Sequence, residues 1–234
     1  TGNTLSLHDA LPISSRVLVP VLTLVLFLVA CDTPQASREI VPGAVLLQQS
    51  FADDERNAPD YPRWDEYILT RDVTLGIIDQ QYTMTSTGGG YIWGLNDQTH
   101  SDVIIEVTAE PLNRNPTLIY GVMCRAHPLS NNMGYYFLLR GDGAFGIRRG
   151  DGERVTPLVN WTTHNAVRTT GANTIRAVCA GDYLALYVNG TFVAETTYDW
   201  LSEGYAGFAI NGQAGAPVGA SFDDLTIWQA VTSS

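Results

Sequence analysis

Tyr183-Leu184-Ala185-Leu186-Tyr187-Val188-Asn189-Gly190-Thr191-Phe192-Val193-Ala194-Glu195-Thr196 is the stretch from which the fold can be read. Apolar, aromatic and β-branched residues fill both arms, as a pleated, half-buried surface requires. Between them stands Asn189-Gly190, the residue pair of a two-residue type I′ turn. Both central positions of that turn need positive φ, which Asn and Gly tolerate best. Tyr183–Val188 and Thr191–Thr196 therefore read as a hairpin, joined by Asn173–Ala180 into a meander.

Outward from this hairpin the same punctuation recurs every 8–12 residues or so, with Gly, Asn, Asp and Pro between short runs. Val45–Phe51 comes first, then Thr74–Ile78 and Gln81–Thr85 as a hairpin, then Gly90–Gly94 and the alternating Asp102–Pro111. Thr117–Ala126 is almost continuously apolar and reads as a central strand. Tyr135–Arg140 and Ala144–Arg149 flank Gly141-Asp142-Gly143, and Gly204–Asn211 and Ala220–Gln229 close the series. No segment keeps a 3.6-residue apolar period over three turns, and at most a single helical turn is expected, near Tyr198–Glu203. About a dozen short antiparallel strands in roughly 190 residues predict an all-β, two-sheet antiparallel sandwich in a single domain, residues 44–230.

Composition narrows the function classes. Asp and Glu number 24 against 13 basic residues, for a net charge of −11, and every basic residue is arginine. Such a chain has no general attraction for nucleic acid, whose binding is driven by phosphate neutralisation. It also lacks any lysine for a Schiff base or a general base. Eleven Tyr and five Trp suit both a β-rich core and contact with sugars.

The N-terminal region is read apart from the domain. The chain opens on Thr1, as a piece of a longer reading frame would, and residues 4–13 resemble a translated sequencing adapter, so 1–13 are set aside as an assembly scar. Residues 14–30 form a signal segment: Arg16 precedes the apolar run Val17–Ala30, too short to span a bilayer comfortably. Leu28-Val29-Ala30-Cys31 resembles the bacterial lipobox. That resemblance implies diacylglyceryl transfer to the Cys31 thiol, a membrane partner, and an extracytoplasmic place in a bacterial cell envelope. An ordinary signal peptide with an incidental cysteine is the other reading. Asp32 resembles an inner-membrane retention signal of enterobacteria. Residues 31–43, with Pro34 and Pro42, read as a polar tether.

Cys124 and Cys179 are expected to pair as a disulfide in an exported protein, closing a loop of roughly 55 residues. Their apolar mid-strand settings suit neighbouring strands, and two buried free thiols are the alternative. Two cysteines without a histidine pattern do not make a metal site.

A set of residues across the chain resembles the concanavalin A-like (laminin G-like) jelly roll. It comprises Phe51-Ala52-Asp53-Asp54, Trp64, Gly134-Tyr135-Tyr136-Phe137 with its following Asp-Gly turn, Trp161, Leu184-x-Leu-Tyr-Val-Asn-Gly190, Gly204-x-Ala-Gly-Phe208 and Phe222-Asp-Asp-Leu225. The resemblance covers roughly residues 46–229. It is nearest to the bacterial branch with 3-keto-disaccharide hydrolase-type domains and many lipoproteins. That fold hosts lectins, glycanases, adhesive modules and spacers, so it does not specify an activity.

Glycanases of this fold carry Glu-x-Asp-x-x-Glu on one strand; the motif is absent, and no catalytic residue is assigned. Glu106 and Glu110 share a strand face that reads as solvated. Asp53, Asp54, Asp223 and Asp224 are weak candidates for a structural Ca²⁺, set against plain strand-end capping. No other cofactor is expected. Gly141-Asp142-Gly143-Ala144-Phe145-Gly146 matches G-x-G-x-x-G, but a strand rather than a helix follows. Arg140-Gly141-Asp142 and Arg149-Gly150-Asp151 match an adhesion tripeptide at turns that favour Gly-Asp for backbone reasons. Neither an H-E-x-x-H nor a G-x-S-x-G motif exists.

Aromatic residues supply the positive signal. Tyr91, Trp93, Tyr135, Tyr136 and Trp161 fall in segments this fold brings to one face, with Arg125, His127, Asn131 and Asn132 in a nearby loop. Sugar rings stack on aromatic faces while polar neighbours contact hydroxyls. The other reading buries these rings in the core. Three functions follow in rank: a non-catalytic module for glycans or cell-wall polymers; a disaccharide or glycoside hydrolase drawing on Glu106, Asp142 or His127; and a structural spacer or adhesion domain.

Overall fold

A computed structural model describes residues 35–70, 72–129 and 132–233. The expected scar, the signal segment and the lipid acceptor Cys31 lie outside the described residues. The strands are β1 (Ile40–Gln49), β2 (Tyr67–Thr70), β3 (Val73–Ile78), β4 (Gln81–Ser86), β5 (Gly90–His100), β6 (Val103–Pro111), β7 (Ile119–Ala126) and β8 (Gly134–Arg140). They continue as β9 (Ala144–Gly150), β10 (Val155–Thr163), β11 (Asn173–Ala180), β12 (Tyr183–Val188), β13 (Thr191–Thr197), β14 (Gly204–Gly212) and β15 (Val218–Thr232).

Two antiparallel sheets face each other. One has nine strands in the order β13-β12-β11-β6-β15-β4-β3-β2, with β1 added along the far half of β15. The other has six, β10-β9-β8-β7-β14-β5. The protein is an all-β jelly-roll sandwich. Its diagnostic hairpin forms between β12 and β13, with φ of 51° at Asn189 and 78° at Gly190. The Asn189 amide also fastens this corner, donating to the Ala166 carbonyl at 2.7 Å and accepting from the Thr174 N–H at 2.9 Å.

Period-two alternation sends one face of each sheet inward. Val103, Ile105, Val107 and Ala109 of β6 meet Tyr120, Val122 and Cys124 of β7 and Tyr135, Phe137 and Leu139 of β8. At one end of this core Trp64 stacks on Phe208 at 5.0 Å, and Phe208 stacks on Phe222 at 4.3 Å. Phe51 and Tyr82 close against the same stack, and the indole N–H of Trp64 donates to Gln49 Oε1 at 2.6 Å. Aromatic residues that carried the family resemblance in widely separated segments therefore meet in one cluster. Each such ring pair contributes about 0.5–1.5 kcal/mol beyond its area burial.

Cys124 and Cys179 form a disulfide with Cα atoms 6.8 Å apart. They sit on β7 and β11, so the bond joins the two facing sheets rather than neighbouring strands within one.

Several expectations are corrected. The last residues of the expected tether belong to the domain: Ile40, Val41 and Pro42 pair with Thr232, Val231 and Ala230, and Arg38 bridges to Asp182 at 2.6 Å. A short 3₁₀ turn lies at Glu55–Asn57, where none was expected, and Tyr198–Glu203 is irregular. Strand β10 had no counterpart in the sequence reading. It carries Pro157 and two register shifts against β9, which break its alternation, and edge strands tolerate both.

Candidate functional site

The outer face of the six-stranded sheet gathers an aromatic set that the core does not take. Its residues follow from register alone. Trp93 on β5 stands opposite Ala209 on β14, which pairs with Gly121 on β7, then Leu138 on β8, then Gly146 on β9. Trp161 of β10 lies over Gly146 at the end of this row. A Cβ at position 146 would come within 3.3 Å of the indole, a tight approach that a glycine avoids. The Trp161 indole thus lies four strand spacings from the Trp93 position, about 19 Å, with mostly small residues in the row between them.

The neighbouring rows supply the rest. Tyr91 pairs with Asn211, Ile119 and Arg140 across β14, β7 and β8; Leu95 lines up with Gly207, Met123, Tyr136 and Arg148. Tyr91 and Tyr136 lean together over the small side chains of the floor, their ring centroids 5.4 Å apart. Tyr136 is fully buried there and its hydroxyl donates to the Asn132 carbonyl at 3.0 Å. Tyr91, Trp93, Trp161 and Tyr205 remain partly exposed. Burial pushes the Tyr91 hydroxyl above its ordinary range, opposed by the nearby positive charge of Arg148 and by a hydrogen bond with Asn211. Two guanidinium groups lie against the Trp161 ring, Arg148 at 4.5 Å and Arg140 at 5.0 Å.

Of the named ligand candidates, Tyr91, Trp93 and Trp161 are brought together on this face. Tyr135 and Arg125 are not, and both are corrected. Tyr135 is the inward neighbour of Tyr136; it is fully buried between the sheets, and its hydroxyl bonds the Tyr198 carbonyl and the Trp200 and Leu201 N–H groups. Arg125 is 2% exposed. Its guanidinium donates to the carbonyls of Ser101, Gly181 and Leu201 and to Asp102 Oδ1 at 2.7–3.1 Å, pinning three chain segments together. His127 is exposed between β7 and β8, its Nδ1 accepting from the Leu129 N–H at 3.2 Å. Asn131 lies outside the described residues. The sequence reading missed Arg140, Arg148, Tyr205 and Asn211. Period-two counting within Ala144–Gly150 places Arg148 on the face of Gly146, and that signal was available.

The residues proposed for hydrolysis do not converge. Glu106 is on the outer face of the opposite sheet, paired with Arg176 at 2.6 Å. Asp142 is bound to Arg140 at 2.6 Å and accepts the Ala144 N–H of its own turn, while His127 lies at the other end of β8. The Arg140 hydrogen bond is the main cause holding the Asp142 carboxyl below its usual range. Asp151 Oδ1 likewise accepts the Glu153 and Arg154 N–H groups, so both adhesion-like tripeptides are turn chemistry. Along the six strands of the aromatic sheet the only acid is Asp97, and it accepts the Arg63 N–H. Among the described residues no three His, Cys, Asp or Glu side chains gather as a metal site, so the four aspartates considered for Ca²⁺ do not converge. Asp223 and Asp224 instead mark a bulge where β15 slips against β6, with Asp224 at φ 52°.

No family model matches the chain, and no curated protein matches it. Solved structures do. The carbohydrate-binding module CBM66 of Bacillus subtilis is 14% identical with a TM-score of 0.54, covering 71% of this chain and 91% of that one. A β-glucanase of Bacillus licheniformis is 9% identical with a TM-score of 0.54, covering 80% and 98%. A Bacillus subtilis protein of unknown function with a galectin-like fold is 12% identical with a TM-score of 0.57, covering 83% and 100%. At these identities the likeness is one of fold, and it supports the concanavalin A-like sandwich.

Proposed function

We propose that this domain is a non-catalytic module that binds a carbohydrate across the outer face of its six-stranded sheet. The observation that carries the reading is the row Trp93-Ala209-Gly121-Leu138-Gly146 ending under Trp161. Two partly exposed indoles, at the ends of a row covered by Tyr91 and Tyr136, offer flat apolar surfaces to the C–H faces of sugar rings. The Tyr91 hydroxyl, Asn211 and the arginines beside Trp161 offer polar partners for sugar oxygens, which fix orientation. Fold neighbours that include a carbohydrate-binding module and a β-glucanase support the same direction. The shortage of carboxylates on this sheet supports binding without hydrolysis.

The domain is further proposed to act in a bacterial cell envelope, held by acyl chains on Cys31. Support comes from the sequence Leu28-Val29-Ala30-Cys31 and from the disulfide, which suits an oxidising compartment. Mass spectrometry of the protein from its native membrane tests this: an acylated N-terminal Cys31 is expected, and a free mature N-terminus elsewhere would refute it.

Retention of the domain on a panel of insoluble plant, microbial and cell-wall polysaccharides tests the binding reading. Wild type should be retained on at least one, with Trp93→Ala and Trp161→Ala each weakening retention at least tenfold while melting near the wild-type temperature. Failure of wild type on every polymer, or equal retention of both variants, would overturn it.

A further inference from the structure

We infer that the carbohydrate bound at this face carries a negative charge, a carboxylate or a sulfate ester, that seats on Arg148 beside Trp161. The inference rests on the binding reading above and goes beyond it to the class of sugar.

Arg148 is an unmatched cation. Arg140 on the same indole is neutralised by Asp142 through two hydrogen bonds of 2.8 and 2.6 Å. Elsewhere Arg38 pairs with Asp182, Arg56 with Glu66 and Arg176 with Glu106, and Arg125 is saturated by carbonyls and Asp102. Among the described residues Arg148 has no carboxylate within ion-pair distance, and its buried Nε finds no acceptor. Burial, with the like charge of Arg140 adding to it, makes this guanidinium less comfortable as a cation than an arginine in water. A partly desolvated charge without a partner is costly, and a chain with 24 acids had ample means to supply one.

Charge is also segregated between the sheets. The strands of the six-stranded sheet carry Arg125, Arg140, Arg148 and Arg149 against Asp97 alone. Those of the nine-stranded sheet carry Glu106, Glu110, Glu195, Asp223 and Asp224 against Arg176. Beside Trp161 the one carboxylate, Asp142, is taken up by Arg140, and the half-buried guanidinium of Arg148 is left without one.

Nε is enclosed by the protein, so a ligand meets the terminal Nη edge of this half-exposed guanidinium, an end-on fork that can grip a carboxylate or sulfate through two parallel hydrogen bonds. A ring stacked on Trp161 would bring an acidic substituent within reach of that edge, with the Tyr91 hydroxyl and Asn211 nearby for ring oxygens. The net charge of −11 repels long polyanions, but at 0.15 M salt that repulsion decays over about 8 Å. Short acidic oligosaccharides are therefore the suitable probes.

Calorimetric titration at 0.15 M salt would use oligomers of galacturonate, of alginate and of a sulfated galactan, each beside its carboxyl-reduced or desulfated form. At least one acidic oligomer should bind, its neutral form at least tenfold more weakly, and the carboxylate and sulfate series show which anion is preferred. Arg148→Gln should bring the acidic ligand down to the neutral level. Arg148→Lys, which keeps the charge and loses the fork, should recover part of the difference. Equal binding of an acidic oligomer and its neutral form, with Arg148→Gln unchanged, overturns the charge inference and leaves the carbohydrate module standing. Wild type binding none of the oligomers while retained on a neutral polysaccharide of the panel overturns the charge inference alone; binding none of the oligomers and no polymer of the panel overturns both.

Discussion

Removing the Cys124–Cys179 bond should destabilise the domain by about 4 kcal/mol without moving its binding face. The chain-entropy relation for a crosslink closing 55 residues gives about 14 cal/mol/K, or about 4 kcal/mol at 25 °C. For a domain of about 190 residues the unfolding entropy near the midpoint is roughly 0.4 kcal/mol/K, so the melting temperature should fall by about 10 °C. The bond ties β7 of one sheet to β11 of the other, and both sulfurs are fully buried. Its loss therefore loosens the denatured chain and the sandwich interior, not the outward side chains of β5, β9 and β10. Urea unfolding of Cys124→Ala/Cys179→Ala beside wild type, with and without reductant, reads the effect. A shift under 1 kcal/mol at unchanged slope would refute the reasoning, as would a loss of stability on adding reductant that is as large in the double variant as in wild type.

Other outcomes follow from single residues. Arg125→Met should lower stability by about 3 kcal/mol, since it removes the charge-assisted hydrogen bonds by which one buried guanidinium ties three chain segments together; urea midpoints measure it, and a change under 1 kcal/mol would contradict the role assigned. His100 is buried with Nε2 lacking a partner, and burial lowers its pKa from the usual 6.5. The unfolded chain then takes the proton first, so stability is full above about pH 6.5 and falls as pH drops below it. Urea midpoints at pH 7.5 and 5.0 should differ in wild type and converge in His100→Gln. Gly146→Val should displace the indole of Trp161 and weaken carbohydrate retention at least tenfold, whereas Glu106→Gln, on the far sheet, should leave retention unchanged.

Much of this fold was legible because period-two alternation and turn chemistry act locally. Asn189-Gly190 dictates its hairpin almost regardless of context, and Val103, Ile105 and Val107 declare one buried face unaided. What alternation cannot say is which sheet surface faces the core when both are covered. Tyr135 and Tyr136 are both fully buried, yet on opposite faces. Arg125, ending an apolar strand, looked solvent-facing, because the carbonyls that bind it come from distant segments of the chain. Strand β10 was invisible because Pro157 and two register shifts disrupt its pattern, so the support under Trp161 went unseen even though the residue itself was singled out. Pairing of Cys124 with Cys179 could be expected from composition and compartment; that it crosses between sheets required the three-dimensional arrangement.

The five tryptophans allow the most direct test, because each indole N–H gives its own NMR signal and they occupy different places: Trp93 and Trp161 on the proposed face, Trp64 in the core, Trp200 and Trp228 elsewhere. Titration with a carbohydrate the domain retains should shift the signals of Trp93 and Trp161 and leave Trp64 still. Movement of Trp200 or Trp228 alone, or of none of the five at saturation, would contradict the assignment of this sheet as the binding surface.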